Sequence, residues 1–181
     1  MEFMTGKTEK KTVLISDILS GEYEGKEVLL NGAVHKIRDM GEVAFVVLRT
    51  REGLVQTVYE EGTTTPELKE LCEEAAVTVK GTVALEERAP QGFEIRAVSF
   101  EILSKPVEPM PIAINKWKMN TSLETKLDLR PLSLRNVKER AKFRVQEGIV
   151  RGFRDYLHSQ GFTEIHSPKI GARGAEGGAN L

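Results

Sequence analysis

Five apolar, β-branched runs lie between residues 28 and 103, and each is bounded by turn-forming residues. They are VLLNGAVHKI (28–37), VAFVVLRT (43–50), LVQTVY (54–59), VTVKGTVAL (77–85) and FEIRAVSFEIL (93–103). Asp39-Met40-Gly41 parts the first from the second, and Arg51-Glu52-Gly53 closes a tight hairpin into the third. The polar break EEGTTTPELKELCEEA (60–75) predicts one short helix. Thr65 suits its N-cap, Pro66 its first turn, and Leu68, Leu71 and Cys72 share one face.

Three strands, a helix and two strands is the layout of an OB-fold, a small Greek-key barrel. An SH3-like barrel or an open meander is the rival, and the intervening helix favours the OB layout. Gly32 interrupts the first run where a strand must coil sharply to close a barrel. Closure removes exposed sheet edges and lets so small a unit stand alone. In the second run, alternation sets Ala44, Val46 and Leu48 on one face and Phe45, Val47 and Arg49 on the other. If the first set is core, a ring and a guanidinium share the outer surface, as a platform for unpaired bases requires. Because Val47 is no more polar than Val46, the pattern leaves open the reverse assignment, with Phe45 in the core.

Charge divides the chain. Residues 1–110 hold 13 Lys/Arg against 20 Asp/Glu, and residues 111–181 hold 13 against 7, so the overall −1 is the sum of −7 and +6. An acidic barrel argues against a general electrostatic clamp on nucleic acid and requires any such contact to be local. The single cysteine, Cys72, excludes a disulfide framework or a cysteine-built zinc site. No apolar run approaches the roughly 18–20 residues of a membrane span, and the start has no signal-like stretch, so a cytoplasmic location is expected.

SKPVEPMPI (104–112), with three prolines, reads as a semi-rigid connector. Apolar residues at 137, 141, 145, 149, 153 and 157 then predict a long amphipathic helix over 136–160, capped by Asn136 and ended by Gly161. Gly148 and Gly152 inside it suggest a close helix contact. FTEIHSP (162–168) reads as a short strand and KIGARGAEGGANL (169–181) as a glycine-rich tail. The expected division is a barrel at 1–104, a linker at 105–134 and a second unit at 135–181. One helix and one strand cannot form a core, so that second unit reads as cut short.

The order of barrel, linker, RPLSLRN, long helix, GFTEIHSPKI and AEGGANL resembles the start of a class II aminoacyl-tRNA synthetase. The nearest likeness is to the archaeal-type aspartyl-tRNA synthetase family. The resemblance implies an OB-fold anticodon-binding domain followed by the opening, through motif 1, of an α+β catalytic domain. Motif 1 ends in a signature proline, here Pro168, and in the family it builds a homodimer interface. Phe45 would stack on an anticodon base, Gln56 would bond to base edges, and Glu94 would accept hydrogen bonds from base donors. His35 and Pro90 stand where discriminating members carry a tryptophan and a lysine. That pair resembles the non-discriminating form, which attaches aspartate to both tRNA(Asp) and tRNA(Asn). Glu176 matches the glutamate of a glycine-rich loop that closes over bound aspartate. The family uses ATP and Mg2+ through motifs 2 and 3, which have no counterpart in these 181 residues. The chain alone is therefore expected to carry no catalytic residue, bind neither cofactor and perform no aminoacyl transfer. An asparaginyl-tRNA synthetase fragment and a free-standing OB-fold RNA-binding module are the competing readings.

Overall fold

A computed structural model describes residues 12–166. Two compact units part between Asn115 and Lys116. The first opens with a single helical turn, α1 (Ile15–Asp17), and a wider turn, Ile18–Glu22, bent by Gly21 at φ 86°. Five strands follow: β1 (Glu27–Asp39), β2 (Val43–Arg49), β3 (Leu54–Glu60), β4 (Ala76–Leu85) and β5 (Phe93–Ser104). They close into a barrel in the order β1-β2-β3-β5-β4. All ladders are antiparallel except the short β3–β5 contact, where Thr57 pairs Ile95 and Val58 pairs Arg96. This is the OB-fold expected from the five runs.

The alternation of β2 settles as its first assignment. Ala44, Val46 and Leu48 are wholly buried with Leu30, Val34, Val55, Val77, Val79 and Ile95. Burying such side chains is worth about 1.5–3 kcal/mol each for the larger aliphatics, which makes the inward face of every strand decisive. Ile15 and Ile18 join this core from the N-terminal turn, a contribution the strand pattern does not announce. Thr57, the buried polar residue of β3, donates its hydroxyl to the Val46 carbonyl at 2.7 Å.

The short helix expected between the third and fourth runs is present as a 3-10 helix, Leu68–Glu70, and starts after Thr65 and Pro66 rather than on them. Thr65 is extended and pairs with β5, donating its N–H to Val98 O and accepting from Phe100 N. Residues 74 and 75 in turn bond to Val34 of β1, so only a 3-10 turn at Leu68–Glu70 fits between. Leu71 is still buried in the core, with Leu68 and Cys72 packed against it. Ile112 and Ile114 of the expected linker are buried, so the proline-rich segment folds as part of the first unit.

The second unit has α2 (Leu123–Asp128), α3 (Arg130–Ser133) and α4 (Val137–Ser159). Asn136 caps α4, accepting from Lys138 N and Glu139 N and donating to Lys116 O at 2.7 Å. Glu139 meets Lys142 and Lys126, which hold its carboxyl below the ordinary range. Gly161 ends the helix at φ 82°. Beyond the helix's own neighbouring backbone, no described atom lies within 4 Å of a Cβ placed on Gly148 or Gly152, so the close contact suggested there has no described partner. Residues 162–166 form no strand, because no described strand pairs with their backbone. Pro168 and Glu176 lie outside the described residues.

Barrel closure is tightest at Gly81, where a Cβ would stand 2.4 Å from Arg96 O and 2.7 Å from Ile95 Cγ2. Gly81→Ala is expected to destabilise the chain by about 1–3 kcal/mol. Urea denaturation should show a lower midpoint, and an unchanged midpoint would contradict the packing described.

Candidate nucleic-acid interface

The outer face of the barrel is built by register. In antiparallel neighbours, paired residues point to the same side. Arg38 pairs Phe45, Phe45 pairs Val58, and Val58 pairs Arg96, so one row runs Arg38–Phe45–Val58–Arg96 across β1, β2, β3 and β5. The next row holds Lys36, Val47 and Gln56. Glu94, one residue before Ile95, falls beside Gln56, whose amide donates to its carboxylate at 3.1 Å. Phe45 is half-buried on this face, outside the core cluster. A flat ring, an amide and a carboxylate thus occupy adjacent positions of one surface. The bond between Gln56 and Glu94 fixes both and leaves the second Glu94 oxygen and the Gln56 carbonyl as acceptors.

Three cations were not singled out from sequence. Lys36, Arg38 and Arg96 are exposed around the ring, and none pairs with an acid among the described residues. They supply positive charge where a nucleic-acid backbone would need it, within a unit of negative net charge. The signal was present: the Asp39–Gly41 turn sets Asp39 opposite Ala44 and hence Arg38 opposite Phe45.

His35 sits differently. The β1–β2 register slips between Val34 and Lys36, so His35 is the extra residue of a bulge. It is 7% exposed and lines a hollow of about 460 Å³ with Cys72, Glu74, Met110 and Ile112. Arg49 forks onto Glu74 at 2.6 and 2.8 Å and reaches His35 Nδ1 at 3.3 Å. A guanidinium only donates, so Nδ1 accepts and the ring proton belongs on Nε2. Glu74 takes a φ of 67°, unusual for a residue with a Cβ, and donates its N–H to Val34 O at 2.7 Å. Pro90 is exposed on the β4–β5 loop, where the neighbouring Gln91 amide donates to Leu54 O, the residue paired with Arg49. His35 and the Pro90 loop therefore border the same hairpin end of the face.

The described residues bring no three His, Cys, Asp or Glu side chains together as a metal site, and no helix among them is long and apolar enough to cross a membrane.

Comparison with known proteins identifies the barrel and the segment that follows it. Residues 28–103 match the model of the OB-fold nucleic acid binding domain, and residues 122–181 match that of the class II tRNA synthetases for D, K and N. The two matches together make this a tRNA synthetase architecture of class II. Within that class, the chain belongs to the aspartyl-type family, over the N-terminal part of its members. It is 44% identical to the aspartate–tRNA(Asp/Asn) ligase of Deinococcus radiodurans, over 88% of this chain and 35% of the relative. It is 42% identical to that of Thermus thermophilus, over 93% of this chain and 38% of the relative. The crystal structure of Pyrococcus horikoshii asparaginyl-tRNA synthetase aligns with TM-score 0.71 and 32% identity, covering 81% of this chain and 35% of that one. The chain thus spans little more than a third of the length of these relatives.

Burial pushes the His35 pKa below its ordinary value, and Arg49 adds to this, while Glu74 opposes and Lys36 adds a little. The unfolded chain then takes up a proton near pH 6.5 that the folded chain refuses. The stability from this site is complete above that pH and declines as the pH falls below it. His35→Asn keeps an acceptor for Arg49 and removes the titration. The stability difference between wild type and variant should shrink as the pH drops from neutral towards 5 in urea melts. Parallel pH profiles would contradict it.

Proposed function

We propose that the barrel of the first unit binds the anticodon of a tRNA on its outer face. Unpaired bases stack on Phe45, while Gln56 and Glu94 meet base edges. The carrying observation is the row that sets Phe45 between Arg38 and Arg96, one row from the Gln56–Glu94 pair. A stacking ring, edge acceptors and flanking cations are the three needs of single-stranded recognition.

The whole protein, in this reading, attaches aspartate to tRNA(Asp) and tRNA(Asn) with ATP and Mg2+, as a cytoplasmic homodimer. The relatives' aspartate–tRNA(Asp/Asn) names support the dual tRNA use, as do His35 and Pro90 at the discriminating positions. The catalytic domain of the whole protein opens within the second unit, whose residues 122–181 match the class II synthetase model. ATP and Mg2+ are assigned to the whole protein, and no step is derived through them. Pro168 belongs to the dimer-forming motif and Glu176 to the aspartate loop. The exposed apolar stripe of α4, with Val145, Ile149 and Phe153, suits an interface of that kind. The asparaginyl alternative has lower identity behind it, 32% against 44%. A free-standing RNA-binding module would have no use for the synthetase segment at 122–181.

Phe45→Ala should weaken binding of an anticodon stem-loop by about 1–3 kcal/mol, roughly 5–150-fold in Kd, without lowering the urea midpoint much. Fluorescence anisotropy with labelled stem-loop reads this directly. Equal affinity of variant and wild type would remove the ring from the interface.

A further inference from the structure

Arg96 is the only Lys or Arg of β5. It pairs Val58 on one side and Thr82 on the other, so the row through the ring continues as Arg38–Phe45–Val58–Arg96–Thr82. Glu94 lies two residues back along β5, on the same face. Neighbouring strands lie about 4.8 Å apart, which sets β5 about 10 Å from β2 across Val58. Arg96 is exposed and engages no acid among the described residues. The acids that share its face or row have other partners. Glu94 accepts from the Gln56 amide, and Glu27, which pairs Thr82, meets Lys80 at 3.0 Å.

A carboxylate that reads a base must enter the field of a polyanion, because the nucleotide it meets brings a phosphate with it. Glu94 therefore needs a cation close by if RNA is to approach it. A guanidinium two residues along the strand offsets the repulsion, and its fork of donors matches phosphate oxygens. Lys36 and Arg38 stand on β1, on the other side of the ring from Glu94. The far end of the face offers a phosphate no place, since Val43 pairs Glu60 there and Glu42, Glu60 and Glu61 are all exposed.

We propose that Arg96 holds a backbone phosphate of the nucleotide whose base meets Gln56 and Glu94, so that the RNA chain crosses the strands from β2 to β5. This rests on the anticodon reading above and deepens it. The contact carries no sequence information itself. It lets a carboxylate read a base within a chain of phosphates.

The test measures Kd of an anticodon stem-loop by fluorescence anisotropy over a salt series. Being exposed, Arg96 can be replaced without unfolding the barrel. Each phosphate contact on a single strand adds about 0.7 to the slope of log Kd against log salt, and Arg96→Ala should lower the slope by about that amount. It should weaken binding about threefold or more at low salt, by the same factor for loops of different anticodon sequence. Arg96→Lys should keep the slope, because an ammonium still neutralises a phosphate. Lys69→Ala removes a cation that pairs Glu67 on the β3–β4 connection, and it should leave the slope as in wild type. Beside Glu94→Gln, the loss on Arg96→Ala should shrink, since the charge to be offset is gone. An unchanged slope in Arg96→Ala, an equal fall in Lys69→Ala, or an undiminished loss beside Glu94→Gln overturns the proposal. Phe45→Ala removes a ring and no charge, so it should weaken binding at an unchanged slope. If wild type does not bind the loop, or Phe45→Ala leaves the affinity unaltered, the anticodon reading falls and the proposal with it. If Phe45→Ala weakens binding while Arg96→Ala changes neither slope nor affinity, only the role of Arg96 is lost.

Discussion

The closure of five strands into one cylinder is the constraint on which the rest of the first unit depends. β1 pairs with both β2 and β4, so each strand has one dry face and one wet face. Ala44, Val46 and Leu48 must go inside, and Phe45 and Arg49 must then go outside. Gly81 shows how little room closure leaves, since backbone and side chain of β5 fill the place of its missing Cβ. The bulge at His35 is the one break in the alternation on β1, and it brings an imidazole onto the same side as Lys36.

Local arrangement outweighs net charge at the proposed interface. Residues 1–110 sum to −7, yet Lys36, Arg38 and Arg96 surround the ring. Acids close to the face are already committed: Glu74 to Arg49, and Glu94 to the Gln56 amide through one oxygen. Elsewhere Glu52 accepts from the Ser16 backbone N–H, the main cause of its lowered pKa, and its hydroxyl contact ties the β2–β3 hairpin to α1. Such pairs hold the surface in one geometry, and rigid placement of the contacting side chains reduces the ordering cost of binding.

Much of this was legible in the residues. Period-two patterns found all five strands to within about two residues at each end, the usual uncertainty of element boundaries. Asn136 and Gly161 marked the long helix because a side-chain cap and a left-handed stop are local chemistry. Tertiary pairing overrode the rest. Thr65 and Pro66 look like a helix start, but β5 takes the Thr65 backbone and leaves room for a single 3-10 turn. Ile15 and Ile18 plug the core although one helical turn has too few residues to show a period. The strand expected at 162–168 needs a partner, and helical spacing in α4 says nothing of what covers its apolar side. Of the proposed site, Phe45, Gln56 and Glu94 were reachable through family likeness, while the Arg49–Glu74 clamp required three-dimensional contacts between residues 25 apart.

The central claim is that the outward face of β2 and β3 meets unpaired bases. Its most direct measurement is a nuclear magnetic resonance titration of the chain with an anticodon stem-loop, following the Phe45 ring protons and the Gln56 side-chain amide. Stacking predicts upfield shifts of the ring protons together with a perturbed Gln56 amide. Unmoved Phe45 and Gln56 signals, with the changes confined to the basic side of α4, would contradict it.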